Sequence, residues 1–558
     1  MRLLWVMIAG CVIALAGIAV AIPAKASDTF ALFSGDAQTG ATQAAIRDVL
    51  SPSIAPDDGA RLTLDARVVD FYQARDFKPV WTGDEDAQSN ADLVRDTLGR
   101  ADEQGLQASD YGKALSLWSG PPEPGDDAAA FDIALTRALF RYARDVRLGR
   151  VNPADVYKDV SLPPQDFDVG AAFAKALQHG TVGDFLDDLP PHHPGYRGLV
   201  KALAVYRDIA DRGGWPKVQA GISLERNDPR QAVLAARLSF EDPALASTAH
   251  PTPADLRIAV LRFQRRMGLV DNGKLDADTR AALNVSAGYR AKQIAANMER
   301  WRWVSRGFER DYIYVNVPDE SLDFVHNRTS LLHSRVIIGM KTSPTPIMRT
   351  IVQAAVVNPP WDIPDDIAAR KLLPHLKQDA SYLASRDMVL ADGPSDDPHG
   401  TKVDWRHVKE NDIPYQIQQN PGADNALGTL MLDSPNDFGV YMHDTPHKEL
   451  FGAASRDKSN GCVRVQEIFA LASLALKEDP DDNDDLQQMI DAGKTQRLPL
   501  PAPLPVYMLY WTAIADVDGP TQFRPDRYDR DPPLIARLTA RSQPGPRKKA
   551  PVLLSGAT

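Results

Sequence analysis

The stretch Ser459-Asn460-Gly461-Cys462-Val463-Arg464 carries one of the two cysteines of this 558-residue chain. The other, Cys11, lies in an N-terminal apolar segment typical of an export signal. A lone cysteine in an exported protein cannot form an intramolecular disulfide, so it is either an inert buried thiol or a reactive one. The preceding segment Tyr441-Met442-His443-Asp444-Thr445-Pro446 favours the reactive thiol. A histidine, a glycine-led cysteine and an arginine are the parts of a nucleophile that attacks a carbonyl beside a carboxylate.

His443 and Arg464 supply the charges that such a thiol needs. A free cysteine titrates near pH 8.5, so little of it is thiolate at neutral pH unless its surroundings lower the pKa. We expect His443 to pair with the thiol. We also expect a helix over Gln466–Leu476 to place its positive end just after Cys462. Arg464, with its planar fork of donors, is expected to hold a substrate carboxylate.

The backbone around the cysteine is the other part of the expected site. Gly461 permits the close approach that an exposed nucleophile needs, and Ser459 belongs to the same loop. The amides of Gly461 and Cys462 are expected to donate to an oxyanion. Taken alone, a buried inert cysteine and a structural histidine remain open alternatives.

The N-terminus is typical of an exported protein. Met1 and Arg2 precede an apolar run from Leu3 to Ile22, and Ala24-Lys25-Ala26 is a small-x-small cleavage site. We expect residues 1–26 to be a signal peptide or, as an open alternative, an inner-membrane anchor through residues 3–22, because about 20 residues span a bilayer. Both place the body of the protein outside the cytoplasm. The net charge of −11 argues against nucleic-acid binding.

The first half of the chain is predicted to be helical. Residues 27–60 are rich in Ala, Ser, Asp and Pro and are predicted to be a linker. Helical periodicity without strand alternation predicts a helical domain over 61–250. Residues 252–290 are predicted to form a small module of two short helices, with Gly268 closing the first and Asp276 capping the second.

The second half is predicted to be rich in strands. Strand-like runs predict a β-rich domain over 305–520, interrupted by a polar, helical insertion at about 364–416. Residues 532–558 are rich in Pro, Arg and Lys and are predicted to be disordered. The expected fold class is therefore multidomain α+β.

The segment around the cysteine resembles the signature of the L,D-transpeptidases with a YkuD-type catalytic domain. That signature is a His, about fifteen residues, then Ser or Thr, usually His, Gly and the catalytic Cys. Here fifteen residues (444–458) separate His443 from Ser459-Asn460-Gly461-Cys462. The sequence departs at Asn460, where the common form has a second His. In this departure the sequence resembles the large multidomain branch of the family in gram-negative bacteria, where this position is not always His.

The resemblance extends beyond the signature to most of residues 60–530. Residues 252–284 look like a two-helix peptidoglycan-binding domain, and the helical region before them looks like the scaffold domain of the branch. Several segments of the β-rich region also look like that branch. They are Thr345-Pro346-Ile347-Met348, Asn358-Pro359-Pro360-Trp361-Asp362-Ile363-Pro364, Asn425-Ala426-Leu427-Gly428, His443-Asp444-Thr445-Pro446 and Gln522-Phe523-Arg524.

The resemblance implies a periplasmic enzyme that acts on peptidoglycan stem peptides without a cofactor. Cys462 would attack the carbonyl of the third stem residue, meso-diaminopimelate, and release D-Ala. The thioester would then pass to the diaminopimelate amine of a neighbouring stem. His443 would be the base, oriented by the Asp444 side chain or by a backbone carbonyl. Arg464, Tyr441 and Trp361 would contact substrate, with core packing as the alternative for Trp361, and residues 364–416 would close as a lid.

Three other interpretations compete with this one. His443 and His447 have the spacing of two metal ligands on a helix, but Pro446 breaks that helix and no third ligand follows, so we expect no metal. An enzyme of the same fold that hydrolyses rather than joins peptides has the same nucleophile. A catalytically inactive wall-binding scaffold is the remaining alternative.

Overall fold

The computed structural model describes residues 27–51, 64–112, 116, 120, 122–226, 228–304, 307–477 and 484–540. The expected signal segment 1–26 and residues 541–558 of the expected disordered tail lie outside the described residues. The chain divides into two compact units. One comprises residues up to Asp92 together with Leu117–Thr136, and the other comprises Leu93–Ser116 and the chain from Arg137 onward.

Helices predominate in the described chain before residue 304. They are α1 (Ser27–Leu50), α2 (Leu64–Ala74), α3 (Glu85–Gly99), α4 (Ser109–Gly112), α5 (Asp126–Leu148), α6 (Val169–His179), α7 (Val182–Asp187), α8 (Pro194–Asp211), α9 (Gln231–Ser239), α10 (Pro243–Ala246), α11 (Pro253–Arg266), α12 (Ala277–Leu283) and α13 (Ala287–Trp303). Caps and periodicity explain α8, which starts with Pro194 at its first turn and buries Tyr196, Leu199 and Leu203 on one face.

The prediction of a linker over residues 27–60 is wrong for its first part, because α1 occupies Ser27–Leu50. Ile46 and Leu50, one helical turn apart, are both buried. The buried carboxylate of Asp132 in α5 organises the turn after α2. It accepts hydrogen bonds from the Tyr72 hydroxyl at 2.6 Å and from the backbone N–H groups of Val80 and Trp81.

In the second unit, α11 and α12 lie where two short helices were expected. Thr252 and Asp255 form a capping box at the start of α11, and Asp276 accepts a hydrogen bond from the Thr279 N–H at the start of α12. Gly268, with φ of +62°, follows α11. These helices agree with the predicted local structure, and their role as a peptidoglycan-binding module stays a prediction.

The strands of the second unit follow mostly after residue 310. They are β1 (Val160–Ser161), β2 (Asp311–Asn316), β3 (Ser321–His326), β4 (Thr329–Gly339), β5 (Ile347–Val357), β6 (Trp361–Asp362), β7 (Met388–Leu390), β8 (Ile417–Gln419), β9 (Leu430–Asp433), β10 (Met442–His443), β11 (Asp457–Ser459), β12 (Val463–Val465), β13 (Gln496–Leu509), β14 (Ala513–Ile514) and β15 (Gln522–Phe523). The main sheet has the order β1-β5-β13-β2-β3-β4-β12-β10-β9, and β11 pairs with β4.

Two strand pairings of the main sheet go beyond the β-rich domain expected from the sequence. Strand β9 pairs with β5 as well as with β10, so the sheet closes on itself. Strand β1, from the region predicted to be mostly helical, pairs in parallel with β5, with Val160 opposite Ile347. The expected helical domain therefore contributes a strand to the sheet that carries the candidate site.

The insertion is less helical and less polar than predicted. Its short helices α14 (Asp365–Ile367) and α15 (Leu373–Leu376) flank a π-helical turn over Ala368–Leu372. Strands β6, β8 and β7 form a separate three-stranded sheet. The insertion also has its own hydrophobic cluster, whose fully buried members include Ile363, Leu373, Leu383, Trp405 and Ile417. These apolar residues are scattered among polar ones, so no single periodic run reveals them.

Helices α16 (Ile468–Leu476), α17 (Asp484–Asp491) and α18 (Asp531–Thr539) complete the fold. The expected disordered tail from residue 532 is wrong for its first part, because α18 occupies it. Leu534 and Leu538 are one turn apart and buried. The Asp531 carboxylate lies 2.6 Å from the guanidinium of Arg300 in α13. Burial and an ion pair thus order a segment whose composition predicts disorder.

Candidate active site

Two neighbouring strands bring the predicted site residues together. Strands β10 and β12 are parallel, with Met442 opposite Val463 and His443 opposite Arg464. Side chains alternate along a strand, so His443 and Arg464 share one face, while Met442 and Val463 are buried in the core on the other. Continuing the alternation by one residue beyond each pairing adds Tyr441 and Cys462 to the face of His443.

The loop before β12 is held by hydrogen bonds to both carbonyl groups that flank Cys462. The Ser459 hydroxyl donates to the Cys462 carbonyl at 2.5 Å, and the Thr345 hydroxyl donates to the Gly461 carbonyl at 2.7 Å. Gly461 has φ of +119°, a conformation that favours glycine. Its N–H donates to Ser459 Oγ at 3.2 Å. That amide is therefore engaged within the loop, and its expected role as an oxyanion donor stays a prediction.

The thiol of Cys462 is partly exposed and lies against another loop, with Sγ 3.8 Å from the Gly439 carbonyl oxygen. Burial raises the pKa of Cys462, while the backbone of Tyr441 and the charge of Arg464 act in the opposite direction. The expected help from a helix is absent. Strand β12 separates Cys462 from α16, which begins only at Ile468. The resting thiol is therefore neutral at physiological pH.

His443 is buried, and its Nδ1 lies 2.5 Å from the main-chain carbonyl oxygen of Asp444. A carbonyl can only accept, so Nδ1 carries the proton and Nε2 is the basic nitrogen. The Asp444 side chain instead accepts hydrogen bonds from Thr429 and pairs with Lys448. Of the two ways to orient His443, the structure uses the backbone carbonyl.

Burial and the charge of Arg464 lower the pKa of His443 to about 4, against the opposing effect of the carbonyl groups of Asp444 and Leu427. The imidazole is therefore neutral at physiological pH. Because the thiol of Cys462 is neutral as well, the resting site holds no thiolate–imidazolium pair. Such a base is ready to accept a proton without first losing one.

Arg464 has no carboxylate of any described residue within ion-pair distance, although its side chain is mostly buried. Burial lowers its pKa, while Cys462 and Glu449 raise it. Lys371, on the π-helical turn of the insertion, carries a second positive charge within range of Arg464. The pKa of Lys371 is lowered by burial and then by Arg370 and Arg464. Two cations without a matched anion suit a carboxylate on a ligand. Nothing in the local sequence distinguishes Lys371 from a surface lysine.

Tyr441 and Trp361 occupy different positions relative to the thiol. Burial raises the pKa of Tyr441, and interactions with Cys462, Asp433 and Asp362 raise it further. Its contact with substrate stays a prediction. Trp361 lies in β6 opposite Gln419 and packs against the hydrophobic cluster of the insertion. The packing alternative for Trp361 therefore has direct support, and its contact with substrate stays a prediction.

Two general findings concern the described residues alone. Within them, no group of three or more His, Cys, Asp or Glu side chains is arranged to hold a metal ion. None of the described helices is both long and apolar enough to cross a membrane. Residues 3–22, for which an anchor was one alternative, lie outside the described residues.

Comparison with known proteins identifies two regions of this chain. Residues 310–484 match the YkuD family, described as an L,D-transpeptidase catalytic domain, and residues 66–203 match a family described as a scaffold domain. The chain is also 33% identical over 240 residues to a Haemophilus influenzae protein named "Putative L,D-transpeptidase". That alignment covers 43% of this chain and 48% of the relative. The match thus spans about half the length of the curated relative.

Proposed function

We propose that this chain, whose residues 310–484 match the YkuD family of L,D-transpeptidase catalytic domains, cross-links peptidoglycan stem peptides through a thioester on Cys462. The observation that carries the proposal is the shared face of β10 and β12. It bears a nucleophile, a neutral imidazole and an arginine without a carboxylate partner among the described residues. We further propose that the protein works in the periplasm after export.

The first half of the reaction acylates the enzyme. The Cys462 sulfur attacks the carbonyl carbon of the third stem residue, meso-diaminopimelate, while His443 Nε2 accepts the thiol proton. The tetrahedral intermediate collapses, the bond to D-Ala breaks, and His443 returns the proton to the departing amine. Because thiol and imidazole are both neutral at rest, the proton moves with the attack rather than before it.

The second half transfers the acyl group. The side-chain amine of diaminopimelate on a neighbouring stem attacks the thioester carbonyl, and His443 accepts the amine proton. The carbon–sulfur bond then breaks, and the proton returns to the sulfur. The products are a cross-link between two third residues and a free thiol, so the enzyme is regenerated without a cofactor.

Arg464 and the insertion supply recognition in this proposal. Arg464, assisted by Lys371, binds the carboxylate of the D-Ala that will leave. The insertion closes over the donor as a lid and excludes water, which favours an amine acceptor over hydrolysis. Residues 252–290 hold the protein on the wall. The support is the charge of Lys371 near Arg464 and the separate core of the insertion.

The test is to incubate the protein with disaccharide-tetrapeptide and to identify the products by mass spectrometry. We expect a dimer that lacks one D-Ala, formed by the wild type and by the matched control Ser455→Ala, which removes a half-buried hydroxyl that accepts a hydrogen bond from Arg527 in the loop before β11. Cys462→Ala should form none. A Cys462-dependent tripeptide without dimer would identify a carboxypeptidase. No Cys462-dependent product would leave the inactive wall-binding scaffold as the better interpretation.

A further inference from the structure

Residues distant in the sequence meet beneath the nucleophile loop. The fully buried Thr345 donates its hydroxyl to the Gly461 carbonyl and accepts a hydrogen bond from the Gly339 N–H at 3.0 Å. The end of β4 packs closely here. A Cβ on Gly339 would lie 2.2 Å from the Ser343 carbonyl oxygen and 3.0 Å from the Gly461 Cα. The position of Gly461 is therefore set by Thr345 and by a glycine that allows backbone-to-backbone contact.

Tyr528, from the segment before α18, holds the other side of Thr345. Its hydroxyl donates to the Gly339 carbonyl at 2.5 Å and accepts from the Thr345 N–H at 3.4 Å. The ring stacks on Tyr510 with centroids 5.6 Å apart. One hydroxyl thus ties the two residues that contact Gly461.

Arg530 extends these contacts to the region that matches the scaffold domain. Its buried guanidinium lies 5.3 Å from the centre of the Tyr528 ring and pairs with the Asp159 carboxylate. The Asp159 carbonyl accepts from the Ile347 N–H at 3.0 Å, next to the pairing of β1 with β5. Tyr157 donates its hydroxyl to the Arg530 carbonyl at 2.6 Å. Continuous contacts therefore run from Tyr157–Asp159 to Gly461.

The Gly461 carbonyl and the Cys462 N–H belong to one peptide unit, which is planar and trans. Because Thr345 holds the carbonyl oxygen, the Cys462 N–H points in the opposite direction. The Gly461 N–H is already donated to Ser459. Of the two amides expected to stabilise the oxyanion, that of Cys462 is the one whose direction is set from outside the loop.

We propose that Thr345, Tyr528 and the Arg530–Asp159 pair are positioning residues that aim the Cys462 amide at the oxyanion, so that the segment Tyr157–Asp159, in the region matched to the scaffold domain, supports the active site through these contacts. This proposal rests on the proposed function in that it takes Cys462 as the nucleophile. It concerns acyl transfer to this thiol, whatever the acyl donor.

The test compares two reactions of the same thiol. Acylation by p-nitrophenyl acetate passes through an oxyanion, and alkylation by iodoacetamide does not. For Thr345→Val we expect nitrophenol release to fall about 30-fold, below the loss for removing an oxyanion donor outright. Alkylation and KM should each change less than about twofold. Thr345→Ser, which keeps the hydroxyl, should restore release.

The other variants change residues that are separated from Gly461 by more contacts. We expect Tyr528→Phe to lower nitrophenol release about 10-fold and Asp159→Asn about threefold, because each acts through more intermediates. The matched control is Tyr507→Phe, which removes a buried hydroxyl bound to Glu309 in the same sheet. It should leave both reactions unchanged. Tyr528→Phe also keeps the test decisive if Thr345→Val fails to fold.

Three results would overturn the proposal. These are unchanged acylation in Thr345→Val and Tyr528→Phe, equal losses of acylation and alkylation, and no Cys462-dependent nitrophenol release by the wild type. The proposed function is tested separately with the tetrapeptide donor. Nitrophenol release that depends on Cys462 and Thr345, without any product from tetrapeptide, would retain the positioning residues and reject the substrate.

Discussion

Arg300 and Arg464 are both largely buried, yet they differ in what faces their charge. Arg300, in α13, donates to the Asp531 carboxylate at 2.6 Å and to the Tyr157 hydroxyl at 3.2 Å. Arg464, beside the thiol, has no described carboxylate within ion-pair distance. An unpaired buried charge is costly, so a fold that keeps one leaves room for an anion from outside. Arg300 is thus an arginine that holds the fold, and Arg464 is the arginine that we propose binds a ligand.

The largest expected effect is on Arg300. Asp531→Asn removes the anion but leaves the guanidinium buried, so we expect the free energy of unfolding to fall by about 3–5 kcal/mol. Urea unfolding followed by tryptophan fluorescence measures it. The matched control is Asp529→Asn, which breaks the exposed ion pair with Lys341 and should change stability by less than about 1 kcal/mol. Equal losses of unfolding free energy in the two variants would show that the buried pair stabilises the fold no more than the exposed pair does.

The second effect falls on Arg464. Arg464→Gln should lower kcat/KM for the tetrapeptide donor by about 30- to 100-fold, as expected for a lost charge-assisted hydrogen bond. The free energy of unfolding should not fall. Amidating the terminal carboxylate of the donor should lower kcat/KM of the wild type by a similar factor. It should not lower kcat/KM of Arg464→Gln any further. Arg497→Gln, on the exposed pair with Asp433, is the control. A parallel loss of stability would make Arg464 structural like Arg300.

The third effect is a pH dependence of stability that passes through His443. Its pKa in the folded protein is about 4, below the ordinary value of 6.5, so the unfolded chain binds a proton first as the pH falls. Stability is therefore complete above about pH 7 and decreases towards pH 4, by roughly 1–2 kcal/mol at pH 5.5. Unfolding of the wild type and of His443→Gln across this range measures the difference, since other histidines contribute to both.

The dependence of His443 on Arg464 sharpens the comparison further. The charge of Arg464 is the second cause of the lowered pKa, after burial. In Arg464→Gln the pKa should move back towards 6.5, and the acid-dependent loss of stability should shrink. If stability decreases with falling pH in that variant as it does in the wild type, burial alone lowers the pKa of His443.

The smallest expected effect concerns Lys371. Lys371→Gln should lower kcat/KM severalfold, about 1 kcal/mol, because an exposed charge acts through solvent. The free energy of unfolding should not change. Lys377→Gln, on an exposed position of the same insertion, is the control. If both variants match the wild type in steady-state kinetics, the insertion contributes no charge to recognition.

The parts of the fold with local signals could be predicted from the sequence. Helices α5, α8 and α11 have apolar periodicity, and α8 and α11 also have recognisable caps, so they lie within the regions predicted to be helical. The residue pattern and the family resemblance predicted that His443 and Cys462 form one site, and their chemistry stays a prediction. The sequence did not predict that they share one face of the sheet, because β10 has two residues and β12 three. Strands that short form through their partners rather than through propensity.

The remaining differences have the same origin in tertiary structure. Burial raises the pKa of Cys462 where a helix N-terminus was expected to lower it. α18 is ordered by Arg300, far away in the sequence. Thr345 and Tyr528 have no local feature that indicates their contact with the nucleophile loop. Long-range contacts determine the pKa, order or placement of each of these residues, and the local sequence around each one does not indicate those contacts.

The contacts beneath Gly461 also have a consequence for the order of biosynthesis. Thr345 precedes Gly461 by 116 residues and Tyr528 by 183 residues. A chain emerging from the ribosome therefore presents its thiol before the tyrosine that contacts this loop. Domains tend to fold as they emerge, N-terminal parts first. The loop of Cys462 therefore gains its full set of contacts only after residue 528 has been synthesised.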